Sequence, residues 1–412
     1  MTPRRGARML PLALCLVISA CAASPAATEF PTTSPSPSES QSQTPKASAA
    51  PRLDLSAPVA FYHPSADAVA NAAPGEIIDA VEIRARAGVR AWTVVYGSIG
   101  LDGQPVAVSG IILAPADPPS GSSYPVVAWA HGTTGIADRC APSRSGVQGV
   151  PFEELVAAGY VVTATDYEGL GTDGTHPYII GISEGRSVLD SIRAVQNLPE
   201  AHAANAAVVM GLSQGGHAAL WAGELAPTYA PELDLRGVLA ASPPTDLSAW
   251  ATWTFEAGAR GDIFVTMAPV LVFGVWSEVY GLPLPFLTDE AQRIAGTVRD
   301  GCDPSGLIAD PYVSDPTLDP EWSLRLVENS PGAARTEVPF LVVAPSDDQL
   351  VSYESQVAGV EAMCAIGDTV ELRTVTGGHD ASIFSSSAFS AAREWIAARF
   401  AGAPASSTCA PD

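Results

Sequence analysis

The stretch AVVMGLSQGGHAALWAGELA, Ala207 to Ala226, joins two patterns with opposite demands on the backbone. Its first six residues are an apolar, β-rich run, and its last twelve place apolar side chains at helical spacing. At the join, Gly211-Leu212-Ser213-Gln214-Gly215 matches G-x-S-x-G. In a chain with 36 glycines that string alone says little. A strand leading in and a helix leading out make it the strand–turn–helix of a nucleophile elbow. Such a turn is strained, and glycines flank the serine because side chains there would clash. Ser213 then sits at a helix N-terminus, where the dipole and free N–H groups favour negative charge.

A serine hydroxyl is a weak nucleophile until a base takes its proton. In this architecture the chain order is Ser, then Asp or Glu, then His. Of the six histidines, His63, His131, His176 and His202 precede the serine, and His217 lies on the helix that starts there. His217 reads as a packed helix residue. Only His379 follows in order, in the loop Thr376-Gly377-Gly378-His379-Asp380, and it is the expected general base. The acid belongs to the preceding loop, Ala344-Pro345-Ser346-Asp347-Asp348-Gln349-Leu350-Val351, where either aspartate suits the role of holding the imidazole. Asp380 reads as structural, since adjacent loop side chains diverge. An oxyanion hole needs two N–H donors: Gln214, after the nucleophile, and Thr133 in the loop His131-Gly132-Thr133-Thr134-Gly135. His131 reads as a brace for that loop.

Outward from the elbow, apolar runs alternate with helical patterns. Residues 91–98 and 106–113 read as an antiparallel strand pair around the turn signal Asp102-Gly103. Residues 124–130, 160–165, 207–212, 235–241, 338–344 and 369–375 read as buried strands. Residues 151–158, 184–197, 215–226, 353–365 and 385–400 read as helices. The alternation argues an α/β fold with a mostly parallel central sheet. Residues 245–330 break it, with Trp250, Trp253, Phe255, Phe264, Phe273, Trp276, Tyr280 and Phe286 on helical patterns. That insertion reads as either a lid or a packed subdomain. The core is then expected over 52–244 and 331–412.

At the N-terminus, Arg4, Arg5 and Arg8 precede an apolar run of about 12 residues, Met9 to Ala20, too short for an ordinary transmembrane helix. Residues 1–20 read as a signal peptide. Small residues before Cys21 resemble a lipobox, which implies lipid on the Cys21 thiol. Residues 21–51 are a Ser/Pro-rich linker that cannot bury a core. Cys140, Cys302, Cys364 and Cys409 form an even set in an exported chain, which suggests two disulfides. Three pairings are possible; order and loop context favour Cys140–Cys302 and Cys364–Cys409. Asp and Glu outnumber Lys and Arg by 44 to 21, a net charge of −23, which argues against nucleic-acid binding. No zinc-site, Walker A or full dinucleotide pattern occurs, and no metal or cofactor is expected. Asp166-Tyr167-Glu168, after a strand, reads as a surface loop anchor.

Taken together, AWAHGTTG (128–135), CAPS (140–143), TDYEGLG (165–171), GLSQGG (211–216), ASPPTDL (241–247), DDQLVSY (347–353) and GGHD (377–380) resemble the secretory lipase family of α/β-hydrolases, over roughly residues 85 to 400. In that family the acid stands three positions before a Val, a pattern that Asp348 and Val351 fit and Asp347 does not. The family often has Pro after that Val, where this chain has Ser352. The resemblance also implies a helical lid after ASPPTDL, and a disulfide from the CAPS loop to the lid, as in Cys140–Cys302. It implies hydrolysis of carboxylic esters, including acylglycerols, through Ser213, His379 and Asp348; separately, the export signal places the protein outside the cell, and a monomer is expected. Acyl transfer, hydrolysis of polymer-linked esters, and binding on an inactive scaffold are the alternatives.

Overall fold

The computed structural model describes residues 57–146, 150–261, 263–297, 299, 301–302 and 310–410. The expected signal peptide, Cys21 and the linker lie outside the described residues.

In chain order the described elements begin with α1 (Ala66–Asn71), β1 (Ile77–Ile83), β2 (Val89–Ile99), β3 (Pro105–Pro115) and β4 (Tyr124–Ala130). There follow α2 (Pro142–Ser145), α3 (Phe152–Ala157), β5 (Val161–Thr165), α4 (Gly181–Gln196), β6 (Ala203–Leu212), α5 (Gln214–Tyr229) and β7 (Asp234–Ala241). Four described α-helices come next, between β7 and β8: α6 (Leu247–Ala259), α7 (Ile263–Tyr280), α8 (Asp289–Ala295) and α9 (Pro320–Glu328), the stretch the sequence suggested as an insertion. The chain closes with β8 (Phe340–Pro345), α10 (Tyr353–Ala365), β9 (Val370–Val375) and α11 (Ser386–Phe400).

The strands form one nine-stranded sheet in the order β1-β2-β3-β5-β4-β6-β7-β8-β9. Pairs from β1 through β3 to β5 are antiparallel, and every pair from β5 to β9 is parallel. The strands and helices read from the sequence recur within a few residues. β1 was not among them: its IIDAVEI pattern is broken by charge and it lies on the sheet edge, where burial is partial.

Strand alternation divides the core into two layers. Val126, Ala128 and Ala130 of β4 pack with Val188 and Leu189 of α4, Ala218 and Ala222 of α5, and Val360 of α10. Val127 and Trp129, pointing the other way, pack with Phe152 and Leu155 of α3 and with Trp395 and Ile396 of α11. Helices on both faces explain why the parallel strands are apolar throughout.

The insertion carries a third core. Trp250, Phe273, Trp276, Phe286, Tyr312 and Trp322 are buried there, with Tyr178 to Ile180 and Val351 of the α/β body. Phe273, Phe286 and Trp322 stack edge-on, with centroids 4.8 to 5.4 Å apart. Most of the aromatics in this stretch are thus packing residues; the side chain of Phe264 lies outside the described residues. Cys140 is joined to Cys302, which ties the loop after β4 to the insertion, and Cys364 is joined to Cys409, which ties the C-terminal tail to α10. Among the described residues, no helix is long and apolar enough to cross a membrane.

The loop Asp166-Tyr167-Glu168 corrects a sequence expectation. Asp166 and Tyr167 are fully buried, not surface anchors. Charged residues are seldom buried unless satisfied, which is why the sequence suggested the surface. Here the hydroxyl of Ser109 donates to Asp166 Oδ2 at 2.6 Å, Ser143 N–H donates to Oδ1 at 3.0 Å, and the Ser143 hydroxyl donates to Oδ2. The Tyr167 hydroxyl donates to the His131 carbonyl at 2.9 Å. The loop therefore clamps β3, the CAPS segment and the loop after β4 from the inside.

Burial pushes the Asp166 carboxyl up to about 6, although its hydroxyl and N–H donors pull the other way. An acid whose folded value lies above its unfolded value binds more protons when folded. Its contribution to stability therefore falls as pH rises from about 4 to about 6. Asp166→Asn removes that titration. Urea unfolding should show wild type losing on the order of 3 kcal/mol relative to the variant across this window. A difference that stays flat with pH would mean that Asp166 does not titrate there.

Candidate active site

Ser213 occupies the turn between β6 and α5 with φ +57° and ψ −119°. Non-glycine residues rarely adopt such angles, which cost on the order of 1–3 kcal/mol and persist where the surroundings over-determine them. Those surroundings are backbone. A Cβ at Gly211 would lie 2.1 Å from the Gly215 carbonyl oxygen, and one at Gly215 would lie 1.9 Å from the Ala130 carbonyl oxygen. Ser213 N–H donates to the Ala241 carbonyl at 2.8 Å, and its own carbonyl accepts from His217 N–H at 3.0 Å. The hydroxyls of Ser352 and Ser385 cap α10 and α11, whereas that of Ser213 makes no capping bond to α5.

His379 follows β9 and Asp348 follows β8. His379 Nδ1 lies 2.9 Å from Asp348 Oδ1 and 2.8 Å from Oδ2. A carboxylate only accepts, so Nδ1 carries the hydrogen and Nε2 is left with its lone pair. Asp348 also accepts from the N–H groups of Leu350 and Val351 at 2.9 and 3.0 Å. The His379 carbonyl accepts from the Ser242 hydroxyl at 2.7 Å. Asp347 instead accepts from Gly377 N–H and lies exposed. His379 Nε2 is buried and has no hydrogen-bond partner among the described residues. Ser213 and His379 line the same cavity. In sites of this type the serine–histidine hydrogen bond is often long or poorly aligned until a substrate binds.

The loop after β4 forms the facing wall. Gly132 backs onto the elbow: a Cβ there would lie 3.3 Å from the Leu212 carbonyl oxygen and 3.8 Å from the Ser213 Cβ. The Thr133 hydroxyl shares a 2.7 Å hydrogen bond with the Tyr178 hydroxyl. His131 is buried, its Nδ1–H donates to the Gly132 carbonyl at 2.6 Å, and burial holds its pKa down at about 4. It is therefore neutral at ordinary pH and braces the loop. Gln214 is the first residue of α5, so its N–H has no partner within the helix.

The cavity measures about 590 Å³. Ser213, Gln214, Thr133 and His379 contribute its polar edge, and Leu247, Trp250, Leu271 and Val272 of α6 and α7 supply apolar wall. Cys140 and Cys302 border it as well. Among the described residues, no group of three or more His, Cys, Asp or Glu side chains is arranged to hold a metal. Glu184 and Tyr178, which hold Gln214 and Thr133, were not singled out by sequence. Neither belongs to a local motif, and only the tertiary fold brings them to the elbow.

A family model described as secretory lipase matches residues 146–278, a stretch that contains Ser213 but neither Asp348 nor His379. Lipase A of Moesziomyces aphidis is 28% identical over 299 residues, covering 64% of this chain and 62% of that protein. This chain thus spans less than two thirds of that lipase's length. A protein of Mycobacterium tuberculosis named a "probable inactive lipase" is 26% identical over 378 residues, 84% of this chain and 82% of that one. The crystal structure of Candida antarctica lipase A in its closed state superposes with a TM-score of 0.68 at 19% identity, covering 85% of this chain and 87% of that one. The fold is that of the α/β-hydrolases, and the similarity to secretory lipases supports a carboxylic ester hydrolase.

Proposed function

We propose that the protein is an extracellular serine hydrolase of carboxylic esters, a lipase or carboxylesterase acting on acylglycerol-type substrates. One observation carries this reading. The elbow serine and a histidine already bonded to a buried aspartate open onto a single, largely apolar cavity. One relative is named a "probable inactive lipase", so the reading rests on the side chains of this chain rather than on the similarity.

Ser213 is the nucleophile. As its oxygen attacks the ester carbonyl, His379 Nε2 takes the hydroxyl proton. Asp348 holds the imidazole in the tautomer that presents Nε2 and stabilises the imidazolium that forms. The N–H groups of Gln214 and Thr133 receive the oxyanion, the term that usually contributes most. His379 returns the proton to the departing alcohol, leaving an acyl group on Ser213. Water then attacks the acyl carbon as His379 takes its proton, and His379 passes that proton to Ser213 Oγ as the bond to the serine breaks and the acid leaves. The positive end of α5 favours the developing negative charge.

The insertion, residues 245–330, acts as the lid in this reading, because α6 and α7 line the cavity that holds Ser213. The two disulfides and the secretory relatives support export. Cys21 carries a lipid that tethers the protein to the outer face of the membrane.

Hydrolysis of p-nitrophenyl esters from acetate to palmitate tests the chemistry. Wild type should turn over these esters, Ser213→Ala should lose at least about 10³-fold in kcat, and Asp348→Asn roughly 10³- to 10⁴-fold. Activity that survives in Ser213→Ala would reject the nucleophile. The anchor has a separate readout: mass spectrometry of the N-terminal peptide of the exported protein should find a diacylglyceryl group on Cys21. A free thiol there would contradict it.

A further inference from the structure

Beneath the elbow lies a buried polar cluster that the mechanism above does not use. At its centre is Glu184, fully buried in the first turn of α4. A buried carboxylate is costly unless its lone pairs are satisfied, and these are. Oε1 accepts from Ile179 N–H at 2.9 Å and from Gln214 Nε2 at 2.9 Å. Oε2 lies 3.0 Å from His217 Nδ1. On its far side His217 Nε2 meets the Asn329 carbonyl at 2.7 Å, an acceptor only, so Nε2 carries a hydrogen.

The Gln214 amide is held from both sides. Its second Nε2 hydrogen points to His176 Nε2 at 2.9 Å, which accepts because His176 Nδ1–H donates to the Glu168 carbonyl at 2.9 Å. Burial keeps that imidazole neutral, with its pKa lowered to about 3. The orientation of the amide is therefore fixed by two acceptors with no freedom to exchange.

The same carboxylate reaches the opposite wall of the site. Ile179 has φ +56°, an outlier for a β-branched residue, and Glu184 holds its N–H. The neighbouring Tyr178 bonds the Thr133 hydroxyl, and its carbonyl accepts from Trp276 Nε1 at 2.9 Å. Glu184 is thus one bond from Gln214 and, through the Ile179–Tyr178 backbone, one side chain from Thr133.

We propose that Glu184 is the positioning residue of the oxyanion hole: it sets the separation of the Gln214 and Thr133 N–H groups by holding Gln214 directly and Thr133 through Tyr178. The proposal rests on the hydrolase reading above. Its role is geometric rather than electrostatic. A glutamine at 184 keeps one oxygen for Ile179 and Gln214, and its N–H can donate to His217 Nδ1 once that nitrogen carries no hydrogen, so Glu184→Gln keeps every partner and reverses only the donor at His217. Glu184→Ala removes these bonds.

Kinetics of p-nitrophenyl butyrate hydrolysis, normalised to active sites titrated with a phosphonate, provide the test. Affinity for a trifluoromethyl ketone, which forms a tetrahedral adduct, is measured alongside. Glu184→Ala should lose about 10- to 100-fold in kcat with KM within twofold, and lose ketone affinity in parallel, since small misplacement of donors has effects of this size. Glu184→Gln should stay within about threefold of wild type. Tyr178→Phe, which severs only the Thr133 arm, should lose about tenfold in kcat at unchanged KM. Should Glu184→Ala not fold, Gln214→Leu removes the same amide link from the other end and carries the same expectation. A wild type inactive on all esters would defeat the hydrolase reading. An active wild type beside variants with unchanged kcat per titrated site would defeat the positioning role alone.

Discussion

Among the described glycines, the tightest approach is that of Gly215 to the end of β4. A Cβ at 215 would lie 1.9 Å from the Ala130 carbonyl oxygen and 2.7 Å from that of His131. No side chain fits there, so the first turn of α5 lies directly against the strand end where the Gly132–Thr133 loop begins. One backbone contact therefore brings together Ser213, the N–H beside it and the loop that faces it. The glycines of the elbow are required by this approach and by that of Gly211 to Gly215, and the strained Ser213 backbone is its consequence.

The parallel sheet extends this arrangement to Asp348 and His379. Ala130 pairs with Gly211, Leu212 with Ala241, Ala241 with Val343, and Pro345 with Val375. The ends of β4, β6, β7, β8 and β9 thus lie in register on one edge of the sheet. Loops leaving that edge carry Thr133, Ser213, Asp348 and His379. Crevices at the carboxyl ends of parallel strands are where such folds hold ligands. Here α6 and α7 close the crevice into a cavity, and the Cys140–Cys302 bond ties the insertion to the loop after β4.

Much of this was legible in the sequence because it is local. Alternating apolar runs gave the buried strands, since each is covered by helices on both faces. The G-x-S-x-G string gained meaning from the strand and helix beside it. Chain order selected His379, but order alone left Asp347 and Asp348 open; the family spacing favoured Asp348, and in the structure it is Asp348 that meets the imidazole. What the sequence hid is non-local. The edge strand β1 lacks a clean pattern because half of it faces solvent. Asp166 looked like a surface residue because the serines that satisfy it, Ser109 and Ser143, come from elsewhere in the chain. Glu184 sits on an ordinary helical pattern, and its partners at 179, 214 and 217 become neighbours only after α4 packs on α5.

The proposed mechanism requires that the fold activate one serine among many through His379. A fluorophosphonate probe measures this directly, because it reacts with activated serines irrespective of the substrate an enzyme prefers. Intact-mass and peptide mass spectrometry should find a single adduct on Ser213, formed rapidly in wild type and slowed by at least about 10³-fold in His379→Ala. No adduct in wild type, an adduct on another serine, or equal labelling in the His379 variant would contradict the account.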